Sequence, residues 1–293
     1  TRSAGGPPIE VGGIMKEKSP TKVEPFMPDR NDIDEVLRDW PFQPGAISAR
    51  LVGADDGREV LQMRIEMGLL QMETTHRPDG EKPGGADTYL DHLIQEAVHR
   101  GDRFSLSEEQ CVEVDREFLQ FYHRRICWLA IREFERAVSD ANHTIDLMDF
   151  VRDHSSDEEW ILSHERYRPF VLFHRTQAAA LARLDEQGPE VAIEEIRLGL
   201  SRISEVFERA EATEHFGEEG MVEQLRELQE AIREHYEVGR TLSEQLADAV
   251  ASEHYELAAK LRDEIARRRF KKTKRHRDDP AGQRQEGPDG ADR

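Results

Sequence analysis

Histidine beside carboxylate is the most concentrated catalytic vocabulary in this chain. His143, His154, His164 and His174 share one stretch with Asp146, Asp149, Asp153 and Glu165. An imidazole titrates near neutral pH and ligates metals, so such a cluster can supply a general base or hold a cation. His143 and Asp146 are three residues apart, which puts both on one face if the segment is helical. The wider grammar of a site is missing. No H-E-x-x-H, G-x-S-x-G or Walker sequence occurs, and no glycine fingerprint follows a strand. We therefore expect four structural histidines, with no catalytic residue, no metal and no cofactor.

Charge is the second candidate chemistry. From Arg267 to Arg277 eight of eleven residues are Arg or Lys, with no acid among them. Such a run binds phosphate backbones by counterion release, with salt-sensitive affinity and no base readout. Arg268, Lys271, Lys272 and Lys274 are the candidate contacts. The run also suits a helix C-terminus, or it neutralises an acidic body, since the chain carries a formal net charge of −20. That balance argues against general nucleic-acid or anionic-membrane binding by the whole molecule. Cys111 and Cys127 form no C-x-x-C pair, which fits free thiols in a reducing cytoplasm and excludes a Cys-based zinc site. No apolar run approaches the roughly 18 residues of a membrane span, and the N-terminus has no signal-peptide core. The chain begins at Thr1 rather than Met, so a removed or trimmed leader is compatible with it.

The clearest element that could carry such groups runs from Gly239 to Arg269. Leu242, Leu246, Ala249 and Val250 form one apolar stripe, and Leu257, Leu261 and Ile265 form another. Ser252, Glu253 and His254 make a polar turn that Tyr255 can cover, and Ala258 and Ala259 allow close helix approach. Two helices of this size cannot bury enough apolar surface to stand alone. The pattern LxxxLxxAVxxxxYExAAxLRDxI, from Leu242 to Ile265, resembles the UVR (UvrB/UvrC) motif. That resemblance implies a helical hairpin for protein–protein contact, found on excision-repair proteins, on Clp-type chaperone ATPases and on an activator of a protein arginine kinase. It points to Leu242, Leu246, Tyr255, Ala258, Ala259, Leu261, Arg262 and Asp263 as partner-binding residues within residues 239–269. A repair protein, a Clp-type ATPase or a kinase are the partners it implies. The chain lacks the paired C-x-x-C elements of the kinase-activator branch and any nuclease or ATPase module, so those activities are not carried over.

Residues 1–30, rich in Gly, Pro and Lys, form a disordered arm. Residues 31–85 hold a short helix with Ile33, Val36 and Leu37, capped by Asp32 or Asp34, and then a β-hairpin. In the hairpin Ile47, Ala49 and Leu51 face Leu61, Met63, Ile65 and Met67 at period two, and Gly68 interrupts the alternation. The loop from His76 to Gly85 is a connector. Residues 86–214 are helical, with Asp87 capping Tyr89 to His99 and Ser107–Gln110 forming a capping box. Phe121, Trp128, Phe134, Ala137, Ala141 and Leu147, and again Ala179, Ala180, Gly188, Ala192, Ile196 and Gly199, fall near the packing positions of tetratricopeptide-type repeats. Ala137 and Ala192 are too far apart for that period, so Asp153 to Arg175 is an insertion or a divergent helix.

His215 to Gly220 reads as a hinge. Beyond it a heptad seam (Leu225, Leu228, Ile232, His235, Gly239, Leu242, Leu246, Ala249) predicts one long helix over 221–251 that self-associates or meets a partner. Residues 221–269 thus join the long helix to the hairpin, and 270–293 are a basic, then disordered, tail.

These elements predict a mainly α protein: a tetratricopeptide-like helical array or bundle, with a small N-terminal β-hairpin and a C-terminal helical hairpin. We expect a cytoplasmic, non-enzymatic adaptor that docks a protein partner through the hairpin, forms a homo-oligomer and has at most weak nucleic-acid affinity. A nucleic-acid- or ribosome-associated accessory factor in repair or translation is the second reading.

Overall fold

The computed structural model describes residues 32–278, the side chains of 213, 214, 218 and 268–278 excepted. The N-terminal arm and the tail past Asp278 lie outside the described residues. A first unit ends at Pro41 and contains helix α1, Asp34–Asp39, where Asp32 accepts a hydrogen bond from the Asp34 backbone at 3.1 Å.

The second unit opens with a three-stranded antiparallel meander: β1 (Ser48–Gly53), β2 (Glu59–Ile65) and β3 (Gly68–Glu73). The register aligns Leu51, Leu61 and Met72 across the sheet, and Ala49, Met63 and Leu70 beside them. On the other face Arg50, Gln62 and Gln71 form a ladder of side-chain hydrogen bonds. Period two thus separates an apolar face from a polar one. The expected hairpin is one strand short of the observed sheet. Glu66–Met67 make a tight turn, and Gly68 pairs with Ile65 to begin β3 instead of breaking the pattern.

The apolar face packs on the helices. Leu61 and Met72 join Trp128, Ile126, Cys127, Phe134 and Ala178 in one core cluster. That burial supplies what a small isolated sheet lacks in water.

The helices are α2 (Tyr89–Arg100), α3 (Glu108–Ala130), α4 (Phe134–His154), α5 (Glu158–Glu165), α6 (Arg168–Gln187), α7 (Pro189–Arg209), α8 (Gly220–Tyr236), α9 (Leu242–Ala251) and α10 (Tyr255–Asp278). The protein is mainly α. Pairs α3–α4 and α6–α7 pack on each other through α4 and α6, with short α5 inserted between them. Of the residues that fall near repeat-packing positions, Phe121, Trp128, Ala137, Ala141, Ala180 and Ala192 are buried, whereas Gly188 is partly exposed at the α6–α7 junction. Ser107 and Gln110 close the expected capping box on α3. Helix α2 is capped by Thr88, not Asp87, because the Thr88 hydroxyl is the group that accepts from Asp91 N.

The single helix expected over 221–251 is two. Helix α8 ends at Glu237 in the left-handed conformation (φ 54°), with Val238 N donating back to Arg233 O, a hydrogen bond that terminates the helix. Helix α9 then starts from a capping box in which the Thr241 hydroxyl accepts from Glu244 N and the Glu244 carboxylate accepts from Thr241 N. This T-x-x-E signal is readable in the sequence, yet the heptad spacing ran across it. Nor does the seam present a free face. Val222, Leu225 and Ile232 are buried against Ile193, Ile196 and Ile203 of α7 and Leu172 and Phe173 of α6. The segment read as a hinge is a 3-10 turn, Thr213–Glu218, whose Phe216 ring packs on Phe207.

Candidate functional site

The chemistry open to the histidines depends on their partners. His143 does not serve Asp146. Its Nε2 lies 2.9 Å from Glu117 Oε1, and its ring stacks on Phe121 at 3.7 Å. Glu117, on α3, is wholly buried (0% exposed) and also accepts from Tyr89 N at 2.6 Å and Leu90 N at 3.0 Å. A carboxylate there satisfies two orphan amides and the positive end of the α2 dipole. Arg77, 1% exposed, completes the group, 3.7 Å from Glu117, 2.9 Å from Glu113 and 3.2 Å from Asp79. The loop read as a connector is therefore anchored by a buried arginine.

The other three histidines are equally occupied. His154 bonds Phe150 O at 2.9 Å, and His164 lies 2.9 Å from Asp115 and 3.0 Å from Trp160 O. His174 accepts from Arg125 Nε at 3.4 Å. Burial and the neighbouring Arg125 guanidinium push the His174 pKa down to about 3, so the ring stays neutral. Burial pushes the Cys127 thiol up to about 12, which makes it a poor nucleophile. No group of three His, Cys, Asp or Glu side chains among the described residues could hold a metal ion.

The second candidate is the C-terminal hairpin. Helices α9 and α10 pack mainly against each other. Their seam consists of Leu242, Leu246 and Ala249 on one side and Ala258 and Leu261 on the other. Small Ala249 meets small Ala258 next to the turn, side chains that let the two helices approach closely there. His254 N donates to Ala249 O at 2.8 Å, with Glu253 left-handed at φ 58°. The seam residues fall at spacings of three and four, which leaves Val250 and Leu257 beside it and not in it. They are 53% and 48% exposed, and Tyr255, expected to cover the turn, is 68% exposed. Hence the expected set divides. Leu242, Leu246, Ala258 and Leu261 hold the hairpin together, Ala259 is half-buried, and Tyr255, Arg262 and Asp263 face solvent.

Residues 239–267 match the UVR family, the UvrB/uvrC motif. No curated protein and no solved structure matched the chain. The UVR hairpin is held to α8 by Arg233, which pairs with Glu244 and donates to Gly239 O at 3.0 Å. A shallow cleft of about 620 Å³ lies between it and α7, with Arg197, Leu246, Val250, Arg262 and Ile265 on its walls. The α10 backbone continues as helix through the basic run to Asp278. The side chains of Arg268, Lys271, Lys272 and Lys274 lie outside the described residues.

Two features of the structure have no local signature in the sequence. The Glu117–Arg77–His143 group joins residues far apart in the chain and leaves no local pattern. The other is a cleft of about 840 Å³ between α3 and the α5–α6 junction, walled by Phe118, Tyr122, Tyr167 and Phe170. Phe121 and Trp128, the aromatics of α3 that fall near repeat-packing positions, are buried instead. No helix among the described residues is long and apolar enough to cross a membrane.

Proposed function

We propose that this protein is a non-enzymatic adaptor of the reducing cytoplasm that docks a protein partner through its UVR hairpin. UVR motifs occur in DNA-repair and Clp-associated proteins and mediate protein or DNA contacts. The observation that carries the reading is the division within the hairpin. Its seam is internally satisfied, while Val250, Tyr255 and Leu257 stay exposed around one turn. Apolar groups gathered at an exposed tip mark an interaction surface better than scattered ones do. Tyrosine, the residue at position 255, is also one of the types enriched at interface hot spots.

The test is partner capture by the intact chain, followed by mass spectrometry, compared with Tyr255→Glu and Leu257→Glu. Both positions are exposed, so helical circular dichroism should not change. The adaptor reading expects the captured partner to be lost in both variants. Retention of the same partner by both would end it.

A further inference from the structure

The cleft between α3 and the α5–α6 junction has a charged floor. Arg125 is 1% exposed and is one of the residues lining the cleft. Its Nη1 donates to Thr144 Oγ1 at 2.8 Å and its Nε to His174 Nδ1 at 3.4 Å. Both acceptors are neutral, and Nη2 has no acceptor among the described residues. The carboxylate whose charge acts on it, Asp140, is already taken by Arg124, which grips both of its oxygens at 2.9 and 2.7 Å. Burial lowers the Arg125 pKa only to about 10, so it remains a cation at neutral pH. Buried charges are normally paired. Here two buried guanidiniums share one carboxylate, and the unpaired one faces an aromatic cleft.

The walls suit a particular ligand. Tyr122 packs on Phe170 with ring centroids 6.4 Å apart, and Phe118 on Tyr167 at 6.1 Å, so each pair makes a continuous apolar surface. At the rim Asp115 is engaged by His164 and by Trp160 Nε1 at 3.0 Å, so it does not neutralise the floor. We propose that this cleft binds a small amphipathic monocarboxylate, its aromatic or branched apolar tail against the surface of the two ring pairs and its carboxylate on Arg125. An arginine presents parallel donors that match a carboxylate, and a volume of this size suits one small molecule. The site lies outside the UVR hairpin and stands or falls independently of the docking function.

The experiment is calorimetric titration of the full chain with 1-naphthaleneacetate and with its neutral amide, 1-naphthaleneacetamide. Saturable binding of the acid is expected, at least about tenfold tighter than the amide, the discrimination of a charge-assisted hydrogen bond. Arg125→Met should bring the acid to the level of the amide and leave the amide unchanged. Leu119→Trp, an exposed rim residue whose larger ring fills the cleft, should weaken both. If Arg125→Met fails to fold, the acid–amide comparison on the unaltered chain and the Leu119→Trp variant still decide. Equal binding of acid and amide, no saturable binding of either, or undiminished binding by Leu119→Trp would overturn the proposal.

Discussion

His174 accepts from Arg125, and that arrangement has a consequence for stability. Its folded pKa lies near 3, against the ordinary 6.5, so between those values the unfolded chain binds a proton that the folded chain refuses. The stabilisation is whole above about pH 6.5 and is lost as pH falls toward 3. His174→Gln keeps an acceptor and does not titrate. Urea unfolding of the two proteins between pH 6.5 and 4.5 should differ in slope by on the order of 1 kcal/mol per pH unit, the histidine protein losing more. Parallel profiles would refute the buried neutral ring. His143 offers a sharper choice between neighbours. Glu117→Gln removes a charge that serves Arg77, two helix amides and His143, and should cost about 2 kcal/mol. Asp146→Asn, at an exposed position, should stay within about 0.5 kcal/mol. Spacing alone favoured Asp146, because short-range periodicity sees only residues on one helix. Glu117 is 26 residues from His143, and nothing local marks it.

Elements were more legible than partners, and the misses share a cause. Amphipathic spacing identified most helices and the period-two strands, since both patterns follow from which face is buried. It failed where a cap interrupts a continuing pattern. Leu225, Ile232, Leu242 and Ala249 keep one rhythm, yet Thr241 and Glu244 restart the helix between them and fold the first pair into the core. One glycine, singled out by its resemblance to a repeat position, proves to be a contact between elements. A Cβ on Gly199 would overlap Thr176 Cγ2 and Oγ1 across the α6–α7 interface. Two effects then compete. Alanine's helix propensity favours the substitution by about 1 kcal/mol, and overpacking opposes it by about 1–3 kcal/mol. With Thr176 present the clash should win, so Gly199→Ala destabilises. In a Thr176→Gly background the Cβ, Cγ2 and Oγ1 that a Cβ at residue 199 would meet are all gone, and the same substitution should stabilise. That reversal of sign, read by urea midpoints at constant slope, is the coupling expected of touching residues; a destabilisation in both backgrounds would show that the glycine is needed for another reason.

At the scale of the whole molecule the question is how an acidic body and a basic C-terminal run coexist. The net charge of −20 includes the run itself, so the remainder is more acidic still and repels polyanions. Fields of exposed charges decay over about 8 Å at physiological salt. Helix α10 continues through residue 278, and each residue adds about 1.5 Å along its axis. The stretch past Arg267 therefore extends about 16 Å, roughly two screening lengths, which is enough for part of it to escape the body's field. Duplex DNA or RNA should then bind weakly at low salt, with log affinity falling by about 0.9 per neutralised DNA phosphate, and binding should vanish near 0.15 M. Changing Arg268, Lys271, Lys272 and Lys274 together to Gln should remove it for all sequences alike, since a basic run reads charge and not base edges. The same four changes should leave partner capture intact, because Val250, Tyr255 and Leu257 lie upstream at the hairpin turn. Fluorescence anisotropy across a salt series, run beside the capture assay, separates the two activities. Tight, salt-resistant, sequence-selective binding would instead make nucleic acid the partner and reduce the hairpin tip to an accessory.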